Sequence, residues 1–128
     1  MNETPVLKQL FICEKLIFEQ GTDNLTLVNC HTSCKTDQFP TQPIPFIIYG
    51  LLTDGYGTFT MQVRVLRLDT DDVIFRKSMP MLLTDRLRDA HFIYRMTKLS
   101  FPVAGRYQID LLVNGELLGM TTLTVKAR

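Results

Sequence analysis

Residues 105–125 read GRYQIDLLVNGELLGMTTLTV. Tyr107, Ile109, Leu111 and Val113 alternate with Arg106, Gln108 and Asp110, the period-two pattern of a strand with one buried face. Asn114-Gly115 follows at once. A two-residue type I′ turn needs positive φ at both central residues, and Asn-Gly supplies it without strain. A final strand then runs from Leu117 to Lys126. The stretch is a β-hairpin, and the rest of the chain repeats its grammar.

Upstream, Phe59, Met61, Val63 and Val65 alternate with Thr60, Gln62 and Arg64. The phase breaks at Leu66-Arg67-Leu68, which suggests a bulge or a strand that crosses between sheets. Phe46–Thr53 is a short apolar strand closed by Asp54-Gly55-Tyr56-Gly57. Val73–Met79 is a strand ending at Pro80, and Phe92, Tyr94 and Met96 alternate with Ile93, Arg95 and Thr97. Leu7–Phe18 fits a strand of mixed burial, although Leu7, Leu10, Phe11 and Phe18 also fit helical spacing. Leu25–Val28 starts another strand that continues to His31. Ser33–Pro45 holds three prolines and reads as a loop, because proline lacks the amide a central strand needs. Leu82–Ala90 has the mixed charge and leucine spacing of one or two helical turns.

Seven or eight short strands result, separated by turns about every 8–12 residues. That pattern predicts an all-β fold, an antiparallel β-sandwich in preference to a barrel. No helix long enough to separate parallel strands is visible. The 128 residues make one domain, 1–128, large enough for a core without staples.

Composition narrows the function classes. Fourteen basic against thirteen acidic side chains give a net charge of +1, so no nucleic-acid partner is expected to be held by bulk charge. Arg64, Arg67, Arg76 and Arg95 come from different strands, and no aromatic platform interleaves them. Apolar runs such as Phe46-Ile47-Ile48-Tyr49 are far shorter than a membrane span, so no membrane partner is expected. Met1-Asn2-Glu3-Thr4-Pro5 lacks the basic start and apolar run of a secretory leader. With an odd number of cysteines, a cytoplasmic, reducing location is the expectation.

Gly105-x-Tyr107-x-Ile109 resembles the stretch that opens strand F of immunoglobulin-like domains. There the tyrosine hydroxyl bonds back to upstream backbone, so the resemblance implies that Tyr107 pins a corner and Ile109 enters the core. Ile109 stands where antibody domains have a cysteine, and the core tryptophan is missing. The fold is therefore immunoglobulin-like in the broad sense. The whole chain is also similar to a family of short uncharacterised bacterial proteins that share a domain of unknown function. The similarity lies in Cys13-Glu14, Leu25-Thr26-Leu27-Val28-Asn29, Phe101-Pro102-x-x-Gly105-x-Tyr107 and the Asn114-Gly115 hairpin. It implies a compact all-β domain in a bacterial cytoplasm and transfers no activity.

Chemical clusters are few. Cys30-His31-Thr32-Ser33-Cys34 could offer Cys30, His31 and Cys34 to zinc, with Cys13 or His91 as a fourth ligand. No second knuckle accompanies them, and neighbours on a strand point to opposite faces. The plainer reading makes Cys13 and Cys30 small buried residues. A thiol nucleophile would need a base within reach, and neither His31 nor His91 lies in a nucleophile motif. Asp69, Asp71 and Asp72 could bind calcium, but a tight turn explains them more simply. No metal and no cofactor are therefore expected.

Some apolar side chains fall out of phase. If Tyr107, Ile109, Leu111 and Val113 face the core, Leu112 faces out. If Leu123 and Val125 face the core, Leu118 and Met120 face out, and Ile93 is placed likewise opposite Phe92 and Tyr94. Leu112, Leu118 and Met120 surround one hairpin and would form a patch, unless a bulge resets the phase and buries them. The expectation is a non-enzymatic protein-binding or scaffold domain whose partner is another protein or a second copy. The alternative is a metal-dependent module or enzyme centred on Cys30, His31 and Cys34.

Overall fold

The computed structural model describes residues 2–128. Ten strands occur: β1 (Val6–Cys13), β2 (Lys15–Phe18), β3 (Leu25–Val28), β4 (Ser33–Thr36), β5 (Phe46–Thr53), β6 (Gly57–Arg67), β7 (Val73–Leu83), β8 (Ala90–Met96), β9 (Gly105–Val113) and β10 (Glu116–Ala127). They form a three-stranded sheet in the order β1-β5-β8 and a five-stranded sheet in the order β4-β10-β9-β6-β7. A separate hairpin joins β2 and β3.

The two larger sheets face each other across one core. Ile48, Leu52, Phe92 and Met96 come from the first sheet, and Met61, Val63, Val65, Ile109, Leu111 and Leu123 from the second. All are buried, as the period-two reading of β6 and β9 requires. In immunoglobulin notation β1, β5 and β8 stand as A, B and E, while β10, β9, β6 and β7 stand as G, F, C and C′. The fold is an immunoglobulin-like β-sandwich. Its corner is built as expected: the Tyr107 hydroxyl donates to the Val103 carbonyl at 2.6 Å. Phe101 packs edge-on against the same ring.

The ten strands exceed the seven or eight read from sequence, for local reasons. Leu7–Phe18 breaks at Glu14, so one expected strand becomes β1 and β2. Ser33–Thr36, expected in a loop, pairs with β10, and this one pairing is parallel rather than antiparallel. Its prolines all lie beyond the strand, so they do not oppose it. β7 continues through Pro80 to Leu83, which is tolerated because β7 is an edge strand and needs no amide on its open side. Leu82–Ala90 is not helical; after β7 ends, Arg86 and Leu87 form a turn in which the Leu87 amide donates to the Asp85 side chain at 2.9 Å. Asp69 to Asp72 is a turn, with the Asp69 carboxylate bound by Arg67 at 2.9 Å.

The Asn114-Gly115 hairpin forms with φ of 47° and 84° at its two central residues. Three residues on, β10 carries an irregularity between Leu117 and Gly119. A Cβ at Gly119 would lie 2.6 Å from Leu7 Cδ2, so this backbone packs closely on the Leu7 side chain of β1, which a larger residue would have to displace.

Candidate functional site

The outer face of the five-stranded sheet can be assembled from its register. Gln62, Leu112 and Leu117 lie side by side on β6, β9 and β10. The next row on the same face holds Arg76, Arg64, Asp110 and Met120 across β7, β6, β9 and β10. Leu117 is 50% exposed and Met120 57% exposed, while Leu112 between them is only 4% exposed.

The four apolar residues singled out in the sequence do not share one place. Met120 is exposed on this face as expected. Leu112 also belongs to it, flanked by Gln62 and Leu117, but it is buried, so it forms the floor rather than the rim. Leu118 is turned by the irregularity at Leu117/Gly119 and packs on the core, which is the phase reset the alternation allowed. Ile93 lies on the other sheet, paired with Tyr49 of β5. Leu117 takes the place in the patch that Leu118 was expected to hold. Its signal was its position opposite Leu112 across the Asn-Gly turn.

A charged pair anchors the middle of this face. Asp110 is fully buried, yet both its oxygens are engaged. Arg64 donates from Nε and Nη2 to one oxygen at 3.0 and 2.7 Å, and Gln108 donates to the other at 2.7 Å. The carboxylate is thus neutralised in place, and the face offers apolar contact beside satisfied polar groups.

A second concave region lies on the opposite side of the sandwich. The β2–β3 hairpin stands over the outer face of the three-stranded sheet, and a cleft of about 500 Å³ runs between them, lined by Leu25, Leu27, Tyr49, Leu51 and His91 among others. The Tyr49 hydroxyl and His91 Nδ1 are 2.6 Å apart. Burial pushes the Tyr49 hydroxyl pKa up, and the nearby Asp89 carboxylate adds to the effect. At the rim Arg88 reaches Asp23 at 3.5 Å, a well-exposed pair of little energetic weight.

The Cys30, His31 and Cys34 cluster is not assembled. Cys34 sits beside Val125 and packs on the core, whereas Cys30 is exposed, contrary to the expectation that it is buried. The His31 ring nitrogen Nδ1 lies 2.9 Å from the Asn29 carbonyl. Cys13 is buried, as expected of a small apolar residue. Among the described residues no group of three or more histidine, cysteine, aspartate or glutamate side chains could hold a metal ion. The arginines do not gather either: Arg64 and Arg76 adjoin on the five-stranded sheet, while Arg95 lies on β8 of the other. Among the described residues no helix is long and apolar enough to cross a membrane.

Comparison with known proteins adds three findings. The model of a family of unknown function, DUF6941, matches residues 8–126. No curated protein matches the sequence. Among solved structures, the chain is similar to an immunoglobulin-like protein from Pseudomonas aeruginosa at 16% identity. That alignment covers 91% of this chain and 96% of the other, with a TM-score of 0.40.

Proposed function

The chain belongs to that family of unknown function, and we propose that it is a non-enzymatic recognition module that binds protein through the outer face of its five-stranded sheet. The observation that carries this reading is the pairing of exposed Leu117 and Met120 around the Leu112 floor. Large apolar side chains standing together beside a polar surround have the composition of a protein interface. Each is already about half buried, so covering the rest against a partner would contribute about 1–1.5 kcal/mol. The Arg64–Asp110 pair and Gln108 hold the polar part of the face in one geometry, so little side-chain freedom is lost there on docking. The partner is another protein or a second copy of this chain.

The test is association of the purified chain and of its complexes, compared with a Leu117→Glu/Met120→Glu variant. Both positions are exposed, so the variant keeps the core intact. Sedimentation and co-purification should show an assembly for the natural chain that the variant has lost. A natural chain that stays alone under both conditions, or a variant that keeps the same assembly, contradicts the reading.

A further inference from the structure

The β2–β3 hairpin is rooted in β1 by two backbone hydrogen bonds. The Glu14 amide donates to the Val28 carbonyl at 3.0 Å, and the His31 amide donates to the Ile12 carbonyl at 3.1 Å. Between these bonds lie Cys13 on one strand and Asn29 and Cys30 on the other. Asn29 has φ of 57°, so the chain takes a tight extra residue here and brings Cys30 round to the end of β1. In a regular antiparallel ladder opposed residues have Cα atoms about 4.5–5.5 Å apart, and here two residues, Asn29 and Cys30, lie against one. A disulfide spans Cα separations of about 4.4–6.8 Å.

The two thiols differ in the way a two-step oxidation needs. Cys30 is exposed and Cys13 is fully buried beside it. Burial pushes the Cys13 thiol pKa up, and a Cys30 thiolate raises it further. Cys34, on β4, is half-buried against the edge of the core.

We propose that Cys13 and Cys30 form a reversible intramolecular disulfide, with Cys30 as the thiol that meets oxidant and Cys13 as the one that resolves it. With a peroxide as oxidant, the Cys30 sulfur attacks one peroxide oxygen and the O–O bond breaks. Cys30 becomes a sulfenic acid and one water leaves. The Cys13 sulfur then attacks the Cys30 sulfur, the S–S bond forms, the S–O bond breaks and a second water leaves. Two thiols and one peroxide give one disulfide and two waters. The bond ties the root of the hairpin to β1 and so fixes the wall of the cleft above Tyr49.

The experiment treats the reduced, folded chain with a small excess of hydrogen peroxide and maps the cysteines by mass spectrometry. The expected result is an intact mass lower by two hydrogen atoms and a peptide linking Cys13 to Cys30, reversed by dithiothreitol. A Cys34→Ser variant should behave identically. A Cys30→Ser variant, altered only at an exposed position, should keep Cys13 as a free thiol. Linkage of Cys30 to Cys34, linkage between two chains, sulfinic acid at Cys30 with Cys13 still free, or unreacted thiols would each overturn the proposal.

Discussion

Arg64 holds a single oxygen of the buried Asp110 with two donors, at 3.0 and 2.7 Å, in the middle of the outer face of the five-stranded sheet. The pair is unequal. Asp110 has no exposure, while the Arg64 side chain keeps 28%. Removing either partner therefore has a different cost. Arg64→Ala leaves a carboxylate stranded away from water and should destabilise by about 3 kcal/mol. Asp110→Ala leaves a guanidinium that can still reach solvent and should cost about 1–2 kcal/mol. The double variant should be more stable than Arg64→Ala alone. Urea unfolding of the three proteins checks the order; equal losses for the two single variants would show that burial of Asp110 does not govern the pair.

The corner at Tyr107 offers a cleaner deletion. Its hydroxyl donates to the Val103 carbonyl at 2.6 Å, and the ring is buried against Phe101. Tyr107→Phe keeps the ring packing and removes only the hydroxyl. The loss should be about 1–2 kcal/mol in chemical unfolding, because a polar group at the corner is left unpaired. An unchanged midpoint would mean that water replaces the hydroxyl fully.

These two sites mark how far the sequence could be read. Tyr107 and its corner were legible because the Gly105-x-Tyr107-x-Ile109 spacing is local and the alternation through Val113 has no competitor. The Asn114-Gly115 turn was legible for the same reason. Arg64–Asp110 was not, since its partners are 46 residues apart and meet only through the β6–β9 register. Leu118 was misplaced because one irregularity in β10 reverses the face of every residue before it, and nothing in Leu117-Leu118-Gly119 announces that shift. β4 was hidden by the prolines that follow it, and the Tyr49–His91 contact by a separation of 42 residues.

The N-terminal segment carries a pH-dependent contact. Arg86 donates to Glu3 at 2.7 Å and lies 4.3 Å from the centre of the Tyr56 ring. The hydrogen bond from Arg86 holds the Glu3 carboxyl below its ordinary value of 4.5. A depressed folded value means the contact contributes fully above the unfolded value and is lost as pH falls through the folded one. The Glu3 amide donates to the Tyr56 carbonyl at 2.7 Å, so Tyr56 should report the change. In an NMR titration downward from pH 7, the Glu3 and Tyr56 amides should move together only below pH 4.5, and Glu3→Gln should abolish the movement. A Tyr56 signal that titrates equally in the variant would assign the change to another group.

The central claim is that the chain binds protein through Leu117 and Met120. Its most direct test is quantitative co-purification from the natural host, comparing the natural chain with Leu117→Glu/Met120→Glu and with Ile17→Glu. Ile17 is equally exposed but lies on the β2–β3 hairpin, away from the five-stranded sheet. The predicted result is one stoichiometric partner, or a second copy, retained by the natural chain and by Ile17→Glu and lost from the double variant. The same retained set in all three proteins would contradict the claim.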